Sequence, residues 1–252
     1  MNAYLSLEAS LHDTFWQSIG PSEELPLLID FLSANPGRSL EVGCGSGRLL
    51  LPLRELGYEV EGLELSEEMI ALCQQKLCGP NTMLHHGNMD DWQAPCRYDS
   101  IMIPAFTLQL SADPAAALTR FHAALNPGSR LYASTFMPIA EIQGDLPENQ
   151  WYPDHQTLLP DSNLATIHTK HQLDHEKQLL HRWHRYEVFS PEGECLASHE
   201  SQQILHWYRR TEWKALWKEA GFVMEQQIPD FRPKRKSIAQ AQIISTIARR
   251  VE

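Results

Sequence analysis

The chain has 252 residues, of which 42% are hydrophobic and 21% charged, with a formal net charge of -11; these are ordinary values for a globular protein with a sizeable core. So acidic a balance argues against non-specific binding to nucleic acid or anionic membrane, both of which need clustered cations. The one basic cluster, Arg232, Lys234, Arg235 and Lys236, lies between two apolar runs and reads as a solvated loop. No apolar run approaches the ~18–20 residues that span a bilayer, and the start MNAYLSLEASLHD lacks the basic region and apolar core of a signal peptide. The cysteines are Cys44, Cys73, Cys78, Cys96 and Cys195; none forms a C-x-x-C pair, so free thiols in a reducing compartment are expected. A soluble, cytoplasmic protein with no nucleic-acid or membrane partner is the expectation.

In chain order, residues 1–37 mix aromatics with helix-spaced Leu25, Leu28, Ile29 and Leu32 and end at the turn NPG. RSLEVG then reads as a buried strand, SGRLLLPLREL as a helix closed by Gly57, and YEVEGLEL as a second strand. SEEMIALCQQKL is a helix with Ser66 as N-cap and two acids in its first turn. TMLHHG and YDSIMIPA are strands, DPAAALTRFHAAL is a helix, and SRLYASTF is the fifth strand. Strands alternating with helices imply crossover units and an α/β fold with a parallel sheet covered on both faces.

The rhythm breaks after Phe136. Residues 138–164 have a loop composition; QLLHRWHRYEVF and SHESQQILHWYR, joined by SPEGE, read as antiparallel strands with one wet face. TEWKALWKEAG is a helix with Trp213, Leu216, Trp217 and Ala220 on one face, and FVMEQQI and AQIISTIA supply two last strands. The expected division is an N-terminal helical arm (1–37), a core (38–137), an antiparallel β lid inserted after the fifth strand (138–209) and the C-terminal part of the core (210–252).

Gly43, Gly45 and Gly47 fall where a strand turns into a helix, so a ligand is expected to approach bare backbone N–H groups there. A dinucleotide site wants G-x-G-x-x-G, but position 48 is Arg48, which opposes a nicotinamide-dependent oxidoreductase. Glu64 ends the second strand about 20 residues on, where a carboxylate can accept hydrogen bonds from both hydroxyls of a ribose.

LEVGCGSGR, Glu64 in LELS, HHGNMDDW, YDSIMIPAF and LNPGSRLYAS follow one another in an order that resembles the class I S-adenosylmethionine (SAM)-dependent methyltransferases. The resemblance covers roughly residues 38–137 and resumes over YRRTEWKALWKEAGF. It implies a seven-stranded, mostly parallel sheet with helices on both faces and the last strand antiparallel. It also implies that Gly43, Cys44, Gly45 and Gly47 line the methionine part of SAM, with Glu41 fixing the amino group. Glu64 would hold the ribose and Leu65 would pack on the adenine. Asn88 stands where the family has Asp and would meet the adenine amino group through its carbonyl, with the Met89 backbone on the ring. Ile103 and Pro104 would face the sulfonium end.

The stretch from Arg182 to Trp213 resembles the antiparallel lid of small-molecule N-methyltransferases, a lid that often mediates homodimer contacts. On that basis Arg182, Arg185 and Arg209 are candidates to pair an acceptor carboxylate or phosphate, and Phe106, Trp151 and Tyr152 to wall a pocket. IPAF lacks the polar residue that nucleobase-amine methyltransferases carry after the fourth strand. No acid cluster has metal-ligand spacing, so no metal is expected. His168, His171, His175, His181 and His184 crowd the insertion, and no catalytic base is assigned among them. Transfer to a small-molecule acceptor is therefore expected, N-methylation ahead of O-methylation; the competing reading is a non-catalytic SAM-binding partner or regulator.

Overall fold

A computed structural model describes residues 4–77, 83–235 and 237–251; Cys78 and Lys236 lie outside the described residues. The chain divides into two units, one made of the N-terminal segment through Pro21 with Pro138–Leu205, the other of Ser22–Met137 with His206–Glu252.

The first helix, α1 (Ser6–Ile19), belongs to the smaller unit. In the larger unit α2 (Leu25–Ala34) leads to β1 (Ser39–Val42), α3 (Leu50–Glu55), β2 (Val60–Glu64), α4 (Glu67–Lys76), β3 (Leu84–His86), β4 (Tyr98–Ile103), α5 (Pro114–Ala124) and β5 (Leu125–Phe136). The smaller unit resumes with α6 (Ile139–Gln143), β6 (Tyr152–Leu158), β7 (Leu164–Asp174), β8 (Leu179–Phe189) and β9 (Cys195–His206). The larger unit closes with α7 (Arg210–Glu219), β10 (Phe222–Pro229) and β11 (Ile243–Arg250). Local chemistry accounts for several of these ends. Ser66 caps α4 by accepting the Met69 N–H at 3.2 Å, and Asp113 caps α5 by accepting the Ala116 N–H at 3.0 Å. Gly221, at φ 86°, stops α7 as expected.

The seven-stranded sheet has the order β10-β11-β5-β4-β1-β2-β3. β1 is parallel to β2 and β4, β2 to β3, and β4 to β5, whereas β11 runs antiparallel between β5 and β10. This is the mostly parallel sheet with an antiparallel last strand that the family resemblance implies. Every residue of β1 and β2 is buried, as parallel strands covered on both faces must be. One apolar layer joins Leu40, Tyr98, Ile101 and Ile103 to Phe121 of α5 and to Trp213 and Trp217 of α7. The other joins Val60, Met102 and Tyr132 to Leu28, Phe31 and Leu32 of α2 and to Leu50 and Leu53 of α3. Helix α2 thus packs with the sheet.

The smaller unit holds a four-stranded sheet of order β6-β7-β8-β9, with Ala165, Tyr186 and Val188 packed against Leu11 and Phe15 of α1. The loop expected over 138–164 is corrected: it contains α6 and β6, and β7 begins at Leu164. Strand β6, YPDHQTL, is polar and contains Pro153, so its composition looks like a loop; pairing with β7 makes it a strand, with a bulge between Pro153 and His155. As an edge strand it tolerates the proline. Among the described residues no helix is long and apolar enough to cross a membrane, and Cys44, Cys73, Cys96 and Cys195 are free.

Candidate functional site

The glycine loop runs from the end of β1. Gly43, Gly45 and Gly47 have φ 72°, 55° and 88°, the left-handed region in which a Cβ is disfavoured. At Gly43 a Cβ would also lie 2.5 Å from Cγ2 of Thr107, and at Gly47 2.8 Å from the Cys73 sulfur. Gly43→Ala therefore meets both backbone strain and a clash; it is expected to weaken S-adenosylhomocysteine binding at least about tenfold, read by titration calorimetry.

The expectation of bare N–H groups is corrected. Gly43 and Cys44 donate to Leu63 O at 2.7 and 3.1 Å, Gly45 to Glu64 Oε2 at 2.9 Å, and Gly47 to Cys44 O at 2.9 Å. The helix starts later than expected, at Leu50 rather than in the loop. What the glycines provide is a tight left-handed turn that packs closely on Thr107, Met69, Cys73 and Leu51. Cys44 turns its sulfur into the core against Gly62, 2.6 Å from where a Cβ would be, so only its backbone faces the loop; burial pushes its thiol well up, with Glu41 and Glu64 adding to the effect.

Glu64 is buried and accepts three N–H groups, from Leu65 and Ser66 on Oε1 at 2.8 Å each and from Gly45 on Oε2. A carboxylate offers about four acceptor positions, so accepting two hydroxyls as well requires release of the Gly45 N–H. Leu65 beside it is 48% exposed, a large apolar side chain left on the surface. Asn88 Oδ1 accepts the Asp90 N–H at 3.1 Å, which leaves one of its two lone pairs. Met89 is partly buried against the core.

Glu41 is 2% exposed and its Oε2 has no hydrogen-bond partner. Burial pushes its carboxyl well above the carboxylate range; Arg48 draws it back, while Glu24 and Glu64 push it further. An uncompensated buried carboxylate is costly. The turn after β4 stands out likewise: Ile103 and Pro104 are buried, and Ala105 and Phe106 adopt φ 51° and 64°, conformations that cost roughly 1–3 kcal/mol each without glycine. The Phe106 ring packs on Phe136 at 5.1 Å. Gln109 in the following 3-10 turn (Thr107–Leu110) clamps the end of β5, donating to Phe136 O and His206 O at 3.1 and 2.8 Å and accepting from Phe136 N–H at 2.8 Å.

In the smaller unit, strand alternation separates the acceptor candidates. Register places Tyr152, Thr169 and His184 on the same face as His171 and Arg182. Arg182 pairs with Glu141 at 2.7 Å. Thr169 Oγ1 lies 2.6 Å from Asp154 Oδ2 and 3.0 Å from His184 Nδ1. Since Asp154 accepts the hydroxyl proton, Nδ1 carries hydrogen and Nε2 is the ring's acceptor. Burial, with Arg182, pushes His184 down to about 4, against Asp154; His171 is lowered by burial too, and its Nε2 is enclosed without a partner. Trp151 instead joins the other face, under Lys170 Nζ at 5.0 Å and the Arg185 guanidinium at 4.2 Å. Trp151 and Arg182 therefore line no common pocket on this sheet. In the larger unit Arg209 precedes α7, mostly exposed and paired with Glu212 at 3.6 Å.

Sequence reasoning missed Glu24 and Thr107, and it read Arg48 only as an absent glycine. Glu24 carries no periodic signal; Arg48 could have been found as a cation adjoining two acid-bearing strand ends.

A doubly covered parallel sheet with a side-chain-free turn after β1, an acid ending β2 and an antiparallel last strand defines the SAM-dependent methyltransferase class. A family model described as a methyltransferase domain matches residues 17–227, and the chain belongs to that family. The chain is 32% identical over 127 residues to dTDP-3-amino-3,6-dideoxy-alpha-D-glucopyranose N,N-dimethyltransferase of Streptomyces fradiae, covering 47% of this chain and 49% of that protein. It is 27% identical over 139 residues to a ubiquinone biosynthesis O-methyltransferase of Xanthomonas campestris pv. campestris, covering 50% and 58%. The chain spans about half the length of these curated relatives. Among solved structures, SAM-bound CalS10, an amino pentose methyltransferase from Micromonospora echinaspora, superposes with TM-score 0.73 at 20% identity over 100% of this chain and 99% of that one. A SAM-dependent methyltransferase from Clostridium acetobutylicum gives 0.79 at 13%, over 97% and 98%. At such identities the structural likeness shows the fold alone.

Proposed function

We propose that the chain transfers the methyl group of SAM to the nitrogen of a small amine, with an amino sugar as the acceptor class. The cofactor half is carried by Glu41, whose buried, unpartnered Oε2 calls for one cation; the SAM ammonium is such a cation. Gly43, Gly45 and Gly47 shape the turn that receives the methionine part, and Cys44 contributes backbone only. Glu64 takes the ribose hydroxyls on release of the Gly45 N–H, Leu65 covers the adenine, and Asn88 and Met89 meet its amino edge and ring. Ile103 and Pro104 border the sulfonium end.

When bound, the cofactor supplies a methyl already activated on a sulfonium. The residues' task is then alignment, which is worth ~7–11 kcal/mol when complete, and acceptance of a proton from the amine. Phe106, Arg182 and Arg209 keep their proposed acceptor roles, with Arg182 and Arg209 also holding Glu141 and Glu212; Trp151 is a separate candidate on the face opposite Arg182. The amino-sugar class is supported by the names of the Streptomyces relative and of CalS10. Dimerisation through the four-stranded unit, supported by exposed Leu158 and Leu196, and a cytoplasmic location, supported by the free thiols, belong to the same reading.

The deciding experiment incubates the protein with SAM and, in parallel, a dTDP-3-amino-3,6-dideoxy sugar or a polyprenyl catechol, followed by mass spectrometry. Gain of one or two methyl groups on the sugar alone is the expected outcome. Methylation of the catechol alone would overturn the nitrogen assignment.

A further inference from the structure

Glu24 immediately precedes α2 and is buried. Its Oε2 accepts the Ala105 N–H at 3.0 Å, and its Oε1 accepts the Tyr132 hydroxyl at 2.9 Å, which itself lies 2.8 Å from the Ser245 hydroxyl. One carboxylate therefore ties the segment before α2 to the turn after β4 and, through Tyr132 and Ser245, to β5 and β11. The turn needs holding, because Ala105 and Phe106 both stand in the left-handed region, which residues with side chains keep only where their surroundings impose it. The other contacts within the turn are weaker or local: Phe106 N–H reaches Ser134 Oγ only at 3.4 Å, and Thr107 N–H folds back on Pro104 O at 3.1 Å. Thr107, the next residue, fills the space that a side chain at Gly43 would occupy. The position of the turn thus limits how closely the glycine loop approaches β4.

We propose that Glu24 is a positioning residue for the cofactor: it holds the left-handed Ala105–Phe106 turn and, through Thr107 against Gly43, keeps the glycine loop in the shape that receives the amino-acid tail of SAM. The proposal rests on the placement of the cofactor at that loop. The hold is made by hydrogen bonds, so an amide can replace the carboxylate. In Glu24→Gln the side-chain oxygen accepts the Ala105 N–H, and the NH2 faces the Tyr132 oxygen, which then donates to Ser245. Glu24→Ala loses both links.

The test measures S-adenosylhomocysteine affinity by calorimetry, and amide exchange of the peptide spanning residues 103–109 by mass spectrometry, on wild type, Glu24→Ala and Glu24→Gln. Glu24→Ala is expected to weaken binding about tenfold or more and to speed exchange in the turn, with Glu24→Gln within about threefold of wild type, since loosening a supporting residue displaces the site it supports. If Glu24→Ala does not fold, Thr107→Ser, which removes only the methyl against Gly43, is expected to weaken binding by a smaller factor. The proposal is overturned if folded Glu24→Ala binds as wild type does, if Glu24→Gln is as impaired as Glu24→Ala, or if Thr107→Ser, standing in for an unfolded alanine variant, has no effect. Failure of the wild type itself to bind would instead reject the cofactor placement.

Discussion

Glu41→Gln is expected to lose its thermal response to SAM while becoming more stable than the wild type at alkaline pH. Burial holds the Glu41 carboxyl well above its ordinary value of 4.5, ahead of the opposing pull of Arg48. A carboxyl raised in the folded state binds more protons there than in the unfolded chain between the two values. Its contribution to stability therefore falls as pH rises from 4.5 toward the folded value. Through that window the wild type should progressively lose stability that the variant keeps, so the gap between their melting curves should widen as pH rises. Glu24, also raised by burial, stays in both proteins but repels Glu41, so the difference between their melting curves reports Glu41 together with that coupling. The same reasoning gives the ligand's side. A bound ammonium favours the ionised carboxylate, so SAM affinity in the wild type should rise with pH across the window, with proton release visible in calorimetry. A variant that melts lower than the wild type at pH 8, or that still responds to SAM, would show that Oε2 is not the waiting partner of a cation.

Glu64→Ala should have the second large effect, and it acts twice. Without ligand, the N–H groups of Gly45, Leu65 and Ser66 lose their acceptor, which should cost about 1–3 kcal/mol if they stay dry. With ligand, the wild type at about 100 times Kd should gain about 2.7 kcal/mol, a rise in melting temperature of roughly 5–10 °C, and the variant should gain little of it. NAD serves as the comparison and should shift neither protein. Retention of the S-adenosylhomocysteine shift in Glu64→Ala would remove the ribose role from this residue; a shift with NAD alone would point to another cofactor.

Much of this was legible in the residues themselves. The apolar strands around Leu40, Leu63 and Ile101 alternate with amphipathic helices, and burial against a shared sheet leaves a chain of that pattern few alternatives. Ser66 and Gly221 mark helix ends through chemistry confined to their own turns. Glu64 was recognisable because its distance from Gly43 follows from one strand–helix–strand unit. Strand β6 was not legible, since its stability comes from pairing with β7 rather than from its own polar, proline-containing sequence. Nor was the separation of Trp151 from Arg182: which face a strand residue occupies depends on a register that the bulge beside Pro153 helps to set.

By itself, then, the sequence determined the fold class, the order of the core elements and the turn at which the cofactor is read, because each depends on local periodicity and on glycines close along the chain. Tertiary structure alone decided that the loop's N–H groups are already engaged, that Glu41 keeps an unpartnered oxygen, and that Glu24 holds the turn after β4. Those features join residues tens of positions apart, and their energies arise from burial and hydrogen bonding that exist only once β1, β4 and β5 lie side by side.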